Sequence, residues 1–323
     1  MKALSVFSGG LDSILAAHLI LSQGIEVQAI FFSSPFFPPK NLKKSVEQIN
    51  LPLKVIDITE RLMEIIKHPK YGYGGNMNPC IDCHTLMFRI AGEMLETENA
   101  KFIITGEVLG QRPMSQNKKA LETIASESGY KGLILRPLSA GLLEITIPEK
   151  NGWVKRKDLL SLSGRSRKPQ MELARKYNIS NYPSPAGGCL LTDNQFSRRL
   201  RDLLLYDINP EPTDLELLKI GRHFRIDSYT KVIVGRNKAE NTVIQSMARK
   251  DDFVLIPVSI PGPTVIVTGK RSQQTTDLAA VMAVSYSDAR AGERIDVKVA
   301  NDNYLIPGVK GMDKNVFKRY MIY

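Results

Sequence analysis

The stretch Ser8-Gly9-Gly10-Leu11-Asp12-Ser13 decides the fold of this chain. A short apolar strand, residues 3–7, precedes it. Behind it Leu11, Ile14, Leu15 and Leu19, with His18, fall at helical spacing and stop at Gly24. A strand, a glycine turn and a helix N-terminus together make an anion site. The glycines let the backbone approach a ligand closely, and the open N–H groups and positive end of the helix dipole face it. Ser8 and Ser13 add hydroxyl donors, so a phosphate chain is the natural guest. A plain strand-to-helix turn is the alternative, but order and flanking elements favour the anion site. No Gly-x4-Gly-Lys-Ser/Thr occurs in the chain, and the stretch is not Gly-x-Gly-x-x-Gly.

Working outward, residues 1–145 alternate strands (3–7, 27–32, 53–57, 102–105, 133–135) with helices (11–23, 40–50, 60–67, 83–97, 114–128). The strands are continuous apolar runs, as expected when both faces are covered. The fold class is therefore α/β, a doubly wound parallel sheet. Ligands of such sheets sit at the carboxyl ends of strands, where residues 8–13 fall. The end of the second strand, including Phe32, lies beside them. The loop Ser34-Pro-Phe-Phe-Pro-Pro39 reads equally as a pocket flank or a surface turn. Residues 71–79 read as a long functional loop leading to Cys80.

Residues 150–206 form a basic segment. Helices are expected from about Trp153 through Leu162, over 170–177 and over 195–205, with a turn-rich loop at 182–191. The stretch 207–213, with two prolines and a charge reversal, is the linker candidate. From 214 a separate α+β domain of 110 residues follows. A helix at 214–220 precedes strands at 223–226, 231–234, 253–257, 264–267 and 295–299, with helices at 237–249 and 273–286.

The net charge of +11 is unevenly spread. Residues 1–149 carry 15 basic and 15 acidic groups, whereas residues 150–205 carry 12 and 4. Residues 214–323 carry 17 and 12. The excess lies outside the expected nucleotide domain, which points to a polyanionic partner, most naturally nucleic acid. A solvated basic face is the bland alternative. No apolar run reaches the ~20 residues of a membrane span, and the chain opens directly on a strand rather than a signal peptide. The expectation is a cytoplasmic protein with no membrane partner.

There are three cysteines. Cys80 and Cys83 sit at the mouth of a helix, where the dipole is expected to lower a thiol pKa. Cys189 follows two glycines in the loop Ala186-Gly-Gly-Cys189. Four readings stand: an iron–sulfur cluster on three cysteinates with one iron left open; persulfide transfer with a resolving cysteine; zinc, with His84 or a remote residue as the fourth ligand, although Cys-x-x-Cys-His is a poor three-ligand set; and inert buried thiols.

The six-residue stretch resembles the pyrophosphate loop of the PP-loop ATP pyrophosphatases, which cleave ATP to AMP and pyrophosphate while adenylating an oxygen. Gly106-Glu-Val-Leu-Gly-Gln111, with Ser115-Gln116, Leu121-Glu122, Arg136-Pro-Leu138 and Met171-Glu-Leu-Ala174, resembles the tRNA 4-thiouridine synthetases. Asn78-Pro-Cys-Ile-Asp-Cys83 is similar both to these and to 2-thiouridylases. The likeness covers roughly residues 1–190. It implies that Ser8, Gly9, Gly10, Leu11, Asp12 and Ser13, with Phe32, Gly106 and Gln111, bind ATP, with Mg2+ near Asp12. It further implies a [4Fe-4S] cluster or persulfide sulfur at Cys80, Cys83 and Cys189, tRNA as substrate, and a dimer sharing one tRNA. The pyrophosphate loop starts at residue 8, so no THUMP or ferredoxin-like domain is expected before it. With no rhodanese domain evident, sulfur is expected from sulfide or a separate donor protein.

Val234-Gly-Arg-Asn237, Ala248-Arg-Lys-Asp-Asp252 and Pro261-Gly-Pro263 resemble the NFACT-R RNA-binding domain over about residues 222–320. Phosphate contacts are expected from Arg236, Lys238, Arg249, Lys250, Lys270 and Arg271, and from Lys155, Arg156, Lys157, Arg198 and Arg199 of the basic segment. Two rivals remain: a PP-loop ligase that transfers nitrogen, and a non-catalytic RNA-binding or quality-control protein.

Overall fold

In the computed structural model the strand β1 (Lys2–Val6) is the middle of a five-stranded sheet, and everything at the nucleotide loop follows from that. The structure describes residues 1–37, 42–183, 188–270, 272–300, 302 and 304–323. Two units, Met1–Thr192 and Asp193–Tyr323, divide the chain.

In the first unit, β1 leads into α1 (Leu11–Leu21), then β2 (Glu26–Ser33), α2 (Leu42–Glu47), β3 (Leu53–Asp57) and α3 (Thr59–Lys67). After α4 (Cys80–Glu93) come β4 (Phe102–Thr105), α5 (Lys118–Ser128), β5 (Ile134–Leu135), α6 (Ile147–Lys150) and α7 (Lys168–Lys176). The strand order is β3-β2-β1-β4-β5 with every pairing parallel; Val6 faces Ile30 on one side and Thr105 on the other. The chain winds outward from β1 in one direction and then in the other. The carboxyl end of β1 is therefore the topological switch point, where such sheets bind ligands. Residues 8–13 begin there. Ala3, Leu4, Phe102, Ile103 and Ile104 are fully buried, as a sheet covered on both faces requires.

The expected helix running to Leu162 is not formed. Only Arg156–Asp158 makes a single 3-10 turn. Residues 160–164 instead pair with neighbouring segments: Leu160 and Leu162 N–H donate to Pro137 and Leu138 C=O, Ser163 bridges Leu109, and Gly164 N–H donates to Leu109 C=O. Pairing with a neighbouring chain segment outweighed local helical spacing. The cysteine helix starts at Cys80 rather than Cys83, and α5 starts at Lys118 because Asn117 caps it through Ala120 N–H at 2.9 Å. The start of the expected helix 40–50, with Pro38 and Pro39, and residues 184–187 of the 182–191 loop lie outside the described residues.

The second unit holds α8 (Asn194–Tyr206), α9 (Pro212–Leu217), β6 (Arg222–Arg225), β7 (Thr230–Val234), α10 (Lys238–Met247), β8 (Phe253–Pro257), β9 (Val265–Gly269), α11 (Gln273–Ser285), β10 (Arg294–Val299) and β11 (Tyr304–Lys310). A 3-10 segment, Lys314–Tyr320, follows. The six strands form an antiparallel sheet of order β11-β10-β8-β9-β7-β6, with α11 packed on one face. β11 had no counterpart in the sequence reading, because Pro307 and Gly308 interrupt its pattern. The helix α8 belongs with this unit: Arg225 on β6 clasps Asp202 through two N–H···O bonds of 3.1 and 2.6 Å.

Candidate active site

Gly9 has φ +75°, the left-handed region that a side chain at this position would strain. That turn points the loop back over the sheet edge. Gly10 N-caps α1 with no side-chain cap, so its first-turn N–H groups stay open. The two serines order the loop. Ser13 Oγ donates to Gly10 C=O at 2.8 Å, Ser8 Oγ donates to Ser13 Oγ at 3.3 Å, and Ser8 Oγ accepts Gly10 N–H at 3.3 Å. Ser45 Oγ on α2 ties down Gly9 C=O at 2.9 Å. Leu11 anchors the helix start in the core, and Phe32 is buried at the end of β2.

Gly106 follows β4 and lies against α1. A Cβ there would sit 2.5 Å from Ser13 N and 2.6 Å from Asp12 C, so only glycine lets the two segments touch. Downstream in the same loop, Gln111 Nε2 donates to Asp12 Oδ2 at 2.7 Å. Gln170 on α7, almost wholly buried, donates to Gln111 Oε1 at 3.0 Å. Asp12 Oδ1, Gln170 Oε1, Gln116 Oε1 and Arg167 Nε are buried with no hydrogen-bond partner among the described residues. A phosphate chain with its hydrated cation would satisfy such a set, and the open Asp12 oxygen suits a hard ion such as Mg2+.

Glu107 joins this loop to the cysteine helix. Its Oε1 lies 2.8 Å from His84 Nδ1 and its Oε2 accepts from Arg136 Nε at 2.9 Å. Burial pushes the Glu107 carboxyl up, but Arg136 and His84 outweigh it and hold the group below the usual carboxylate range. His84 is thus engaged by Glu107.

Cys80 and Cys83 occupy the first turn of α4, three residues apart and so on one side of the helix. All three cysteines are free and half-buried. The Cys83 thiol is pushed well above its ordinary range by burial, then by Cys189 and Cys80. Cys189 is pushed up to about 11, again by burial first, with Cys80 contributing. Cys83 thus senses both other cysteines, and Cys189 senses Cys80. The dipole effect expected at the helix mouth is thus overridden at Cys83, because withdrawal from water costs its thiolate more than the helix end returns. Backbone and amide bonds hold the cluster together. Asn78 Nδ2 donates to Cys80 Sγ at 3.2 Å, Asn76 Nδ2 to Thr192 C=O at 2.8 Å, and Leu190 N–H to Phe36 C=O at 2.8 Å. The 71–79 loop is tied down rather than loose: Tyr71 N–H donates to Asp82 Oδ2 at 3.1 Å and Tyr73 Oη donates to Ile66 C=O. No group of three His, Cys, Asp or Glu among the described residues is placed to hold a metal ion. By donor type alone, three cysteine thiols are the ligands that an iron–sulfur cluster uses.

The basic residues divide sharply. Arg156 binds Glu149 and Leu143 C=O; Arg199 is buried and donates to Leu218 and Gly221 C=O; Arg236 pairs with Glu240; Arg249 pairs with Asp214, Glu211 and Asp252. These four arginines hold structure, a role that clustering of charge in sequence does not reveal. Lys155, Lys157, Arg198, Lys238, Lys250 and Lys270 are exposed. Arg271 lies outside the described residues. Glu107 and Gln170 were not singled out as ligands or partners from sequence, and His84 was weighed only as a zinc ligand. Glu107 sits inside the Gly106–Gln111 motif and was legible there, whereas nothing in the local pattern distinguishes Gln170.

A parallel sheet of this order, with a glycine–serine loop at its switch point, defines a PP-loop α/β domain followed by an antiparallel-sheet domain. Residues 1–143 match the family described as "Thiamine biosynthesis protein (ThiI)", and residues 221–321 match "NFACT protein RNA binding domain". A protein of Oceanobacillus iheyensis named "Probable tRNA sulfurtransferase" is 30% identical over 146 residues, 42% of this chain and 34% of that protein. The chain thus spans about a third of the length of that relative. Among solved structures, a 4-thiouridine synthetase–RNA complex with bound ATP is 24% identical with a TM-score of 0.39, over 60% of this chain and 46% of the other. The NH3-dependent NAD synthetase of Campylobacter jejuni is 14% identical with a TM-score of 0.32, over 68% and 82%. No helix among the described residues is long and apolar enough to cross a membrane.

Proposed function

We propose that this chain is an ATP-dependent tRNA sulfurtransferase that converts a uridine to 4-thiouridine. The observation that carries the reading is the convergence of Cys80, Cys83 and Cys189 on elements tied to the nucleotide loop, through Glu107–His84 on one side and Leu190–Phe36 on the other.

The open N–H groups of α1 and the hydroxyls of Ser8 and Ser13 hold the phosphates of ATP. Asp12, with one oxygen held by Gln111, presents the other to a magnesium ion. A uridine carbonyl oxygen attacks the α-phosphorus and pyrophosphate leaves, the loop donors stabilising the charge that develops. Sulfur then attacks the activated carbon and AMP departs with the original oxygen. Cys80, Cys83 and Cys189 would hold a [4Fe-4S] cluster, which when bound would supply the sulfur-delivering chemistry. The half-buried thiols, with the Asn78 amide on Cys80, keep the sulfur-handling end partly withdrawn from water. Sulfide or a separate donor protein provides the sulfur, and the second unit contributes affinity for RNA. The fusion of a match to the ThiI family with a match to an RNA-binding domain supports tRNA as the substrate.

Nucleoside analysis of tRNA from cells with and without the gene tests the reading. Loss of 4-thiouridine is expected. Loss of 2-thiouridine instead would move the product to C2, and unchanged thionucleosides would overturn the assignment.

A further inference from the structure

The second unit offers one place where two cations gather on an aromatic ring with no salt-bridge partner among the described residues. Tyr286, at the end of α11, is half-buried and packs at 6.1 Å centroid separation against both Phe224 and Phe317. The Arg222 guanidinium lies 5.1 Å from its ring centroid and Lys314 Nζ lies 5.4 Å from it. The two charges thus sit within about one Debye length, ~10 Å, of each other. Neither forms an ion pair among the described residues, unlike Arg199, Arg225, Arg236 and Arg249 of the same unit, which hydrogen-bond internal carbonyls or carboxylates. Next along the 3-10 segment, Arg319 stacks over Tyr320 at 4.7 Å, also without a carboxylate partner, and Lys318 is exposed. Tyr323 is 52% exposed. The chain end is fixed there by Ile322 N–H donating to His223 C=O at 2.9 Å and by the Phe224–Met321 bridge.

We propose that Arg222, Tyr286, Lys314 and Arg319 form the RNA contact face of this unit, taking a single-stranded or looped segment. The proposal rests on the RNA-binding reading of the domain and assigns it a face. Like charges held together without a counter-ion repel, and a phosphate backbone removes that cost while releasing condensed cations. Tyrosine rings beside those cations offer unstacked bases a π-surface, the combination that recognises single-stranded RNA. Packing against Phe224 and Phe317 makes the Tyr286 ring a fixed platform, so little ordering is lost on binding.

The test is a salt titration of RNA binding by the full chain, using a tRNA transcript and a single-stranded oligonucleotide. Arg222→Gln with Lys314→Gln is compared with Arg294→Gln plus Lys298→Gln, exposed on β10, which remove the same charge elsewhere and leave Tyr286 packing untouched. The first pair is expected to weaken binding at least tenfold and to lower the log–log salt slope by about 1.4 for two phosphate contacts. The second pair is expected to weaken it less than threefold. Equal losses from both pairs, or none from the first, overturn the face. Failure of the unaltered chain to bind either RNA would instead overturn the domain reading on which it rests.

Discussion

Gln170 Nε2 donates to Gln111 Oε1 at 3.0 Å, and that bond decides which end of the Gln111 amide faces Asp12. With its oxygen engaged, Gln111 must present its NH2 to Asp12 Oδ2, 2.7 Å away. An amide turned the other way would set oxygen against carboxylate. Gln170→Leu should therefore lower kcat/KM for tRNA-dependent pyrophosphate release about tenfold, roughly the worth of one hydrogen bond to a charged group. Folding should be little changed, because leucine fills a similar volume. Unaltered kinetics with a lowered Tm would make Gln170 a packing residue only.

Gly106 tests the contact between the two halves of the nucleotide site. The missing Cβ leaves room for the Asp12–Ser13 backbone, which cannot retreat without shifting α1. Gly106→Ala should cost about 1–3 kcal/mol of stability and weaken ATP binding disproportionately, as read by isothermal titration. An alanine variant with unaltered ATP affinity would contradict the packing argument.

Glu107 links stability to pH. Its folded pKa lies below the ordinary carboxylate value, so its contribution is present above that value and is lost as pH falls through the folded pKa. Urea unfolding at pH 7 and near pH 4 should show the loss. Glu107→Gln should remove that contribution, and at pH 7 it should destabilise by about 3–5 kcal/mol because Arg136 is left buried without its carboxylate.

Lys231 gives a slope of the same sign in the second unit, but in the alkaline range. Burial lowers its pKa to about 8, although Asp202 lies 3.9 Å away. Between pH 8 and its unfolded value the unfolded state binds more protons, so this group makes stability rise with pH. The rise should amount to roughly 3 kcal/mol and should be absent from Lys231→Met. A flat difference between the two proteins over that window would mean that Lys231 is hydrated.

Much of the first unit is legible in sequence because its strands are buried on both faces: Ile103 and Ile104 declare a covered sheet without help from distant contacts. The loop at residues 8–13 is equally legible, since its glycines and serines act on their own backbone. What escapes is everything set by pairing across the chain. Leu160 and Leu162 lie in a stretch that carries a helical pattern but pair with Pro137 and Leu138 instead. Arg199 and Arg249 read as phosphate ligands but hydrogen-bond carbonyls and carboxylates up to 38 residues away. Gln170 meets Gln111 across 59 residues. The cysteines were recognisable by their glycine and proline neighbours, yet the upward shift at Cys83 depends on burial that only the folded chain creates.

The central claim is that ATP cleavage and sulfur transfer meet at one rim of the first unit. The most direct measurement is anaerobic incubation of the reconstituted chain with ATP, Mg2+, sulfide and unmodified tRNA, scoring AMP and thionucleoside together. The account predicts one AMP per 4-thiouridine for the unaltered chain. It predicts no thiolation by Cys80→Ala, Cys83→Ala or Cys189→Ala, each of which still binds tRNA. Full thiolation by a chain lacking all three cysteines would contradict it.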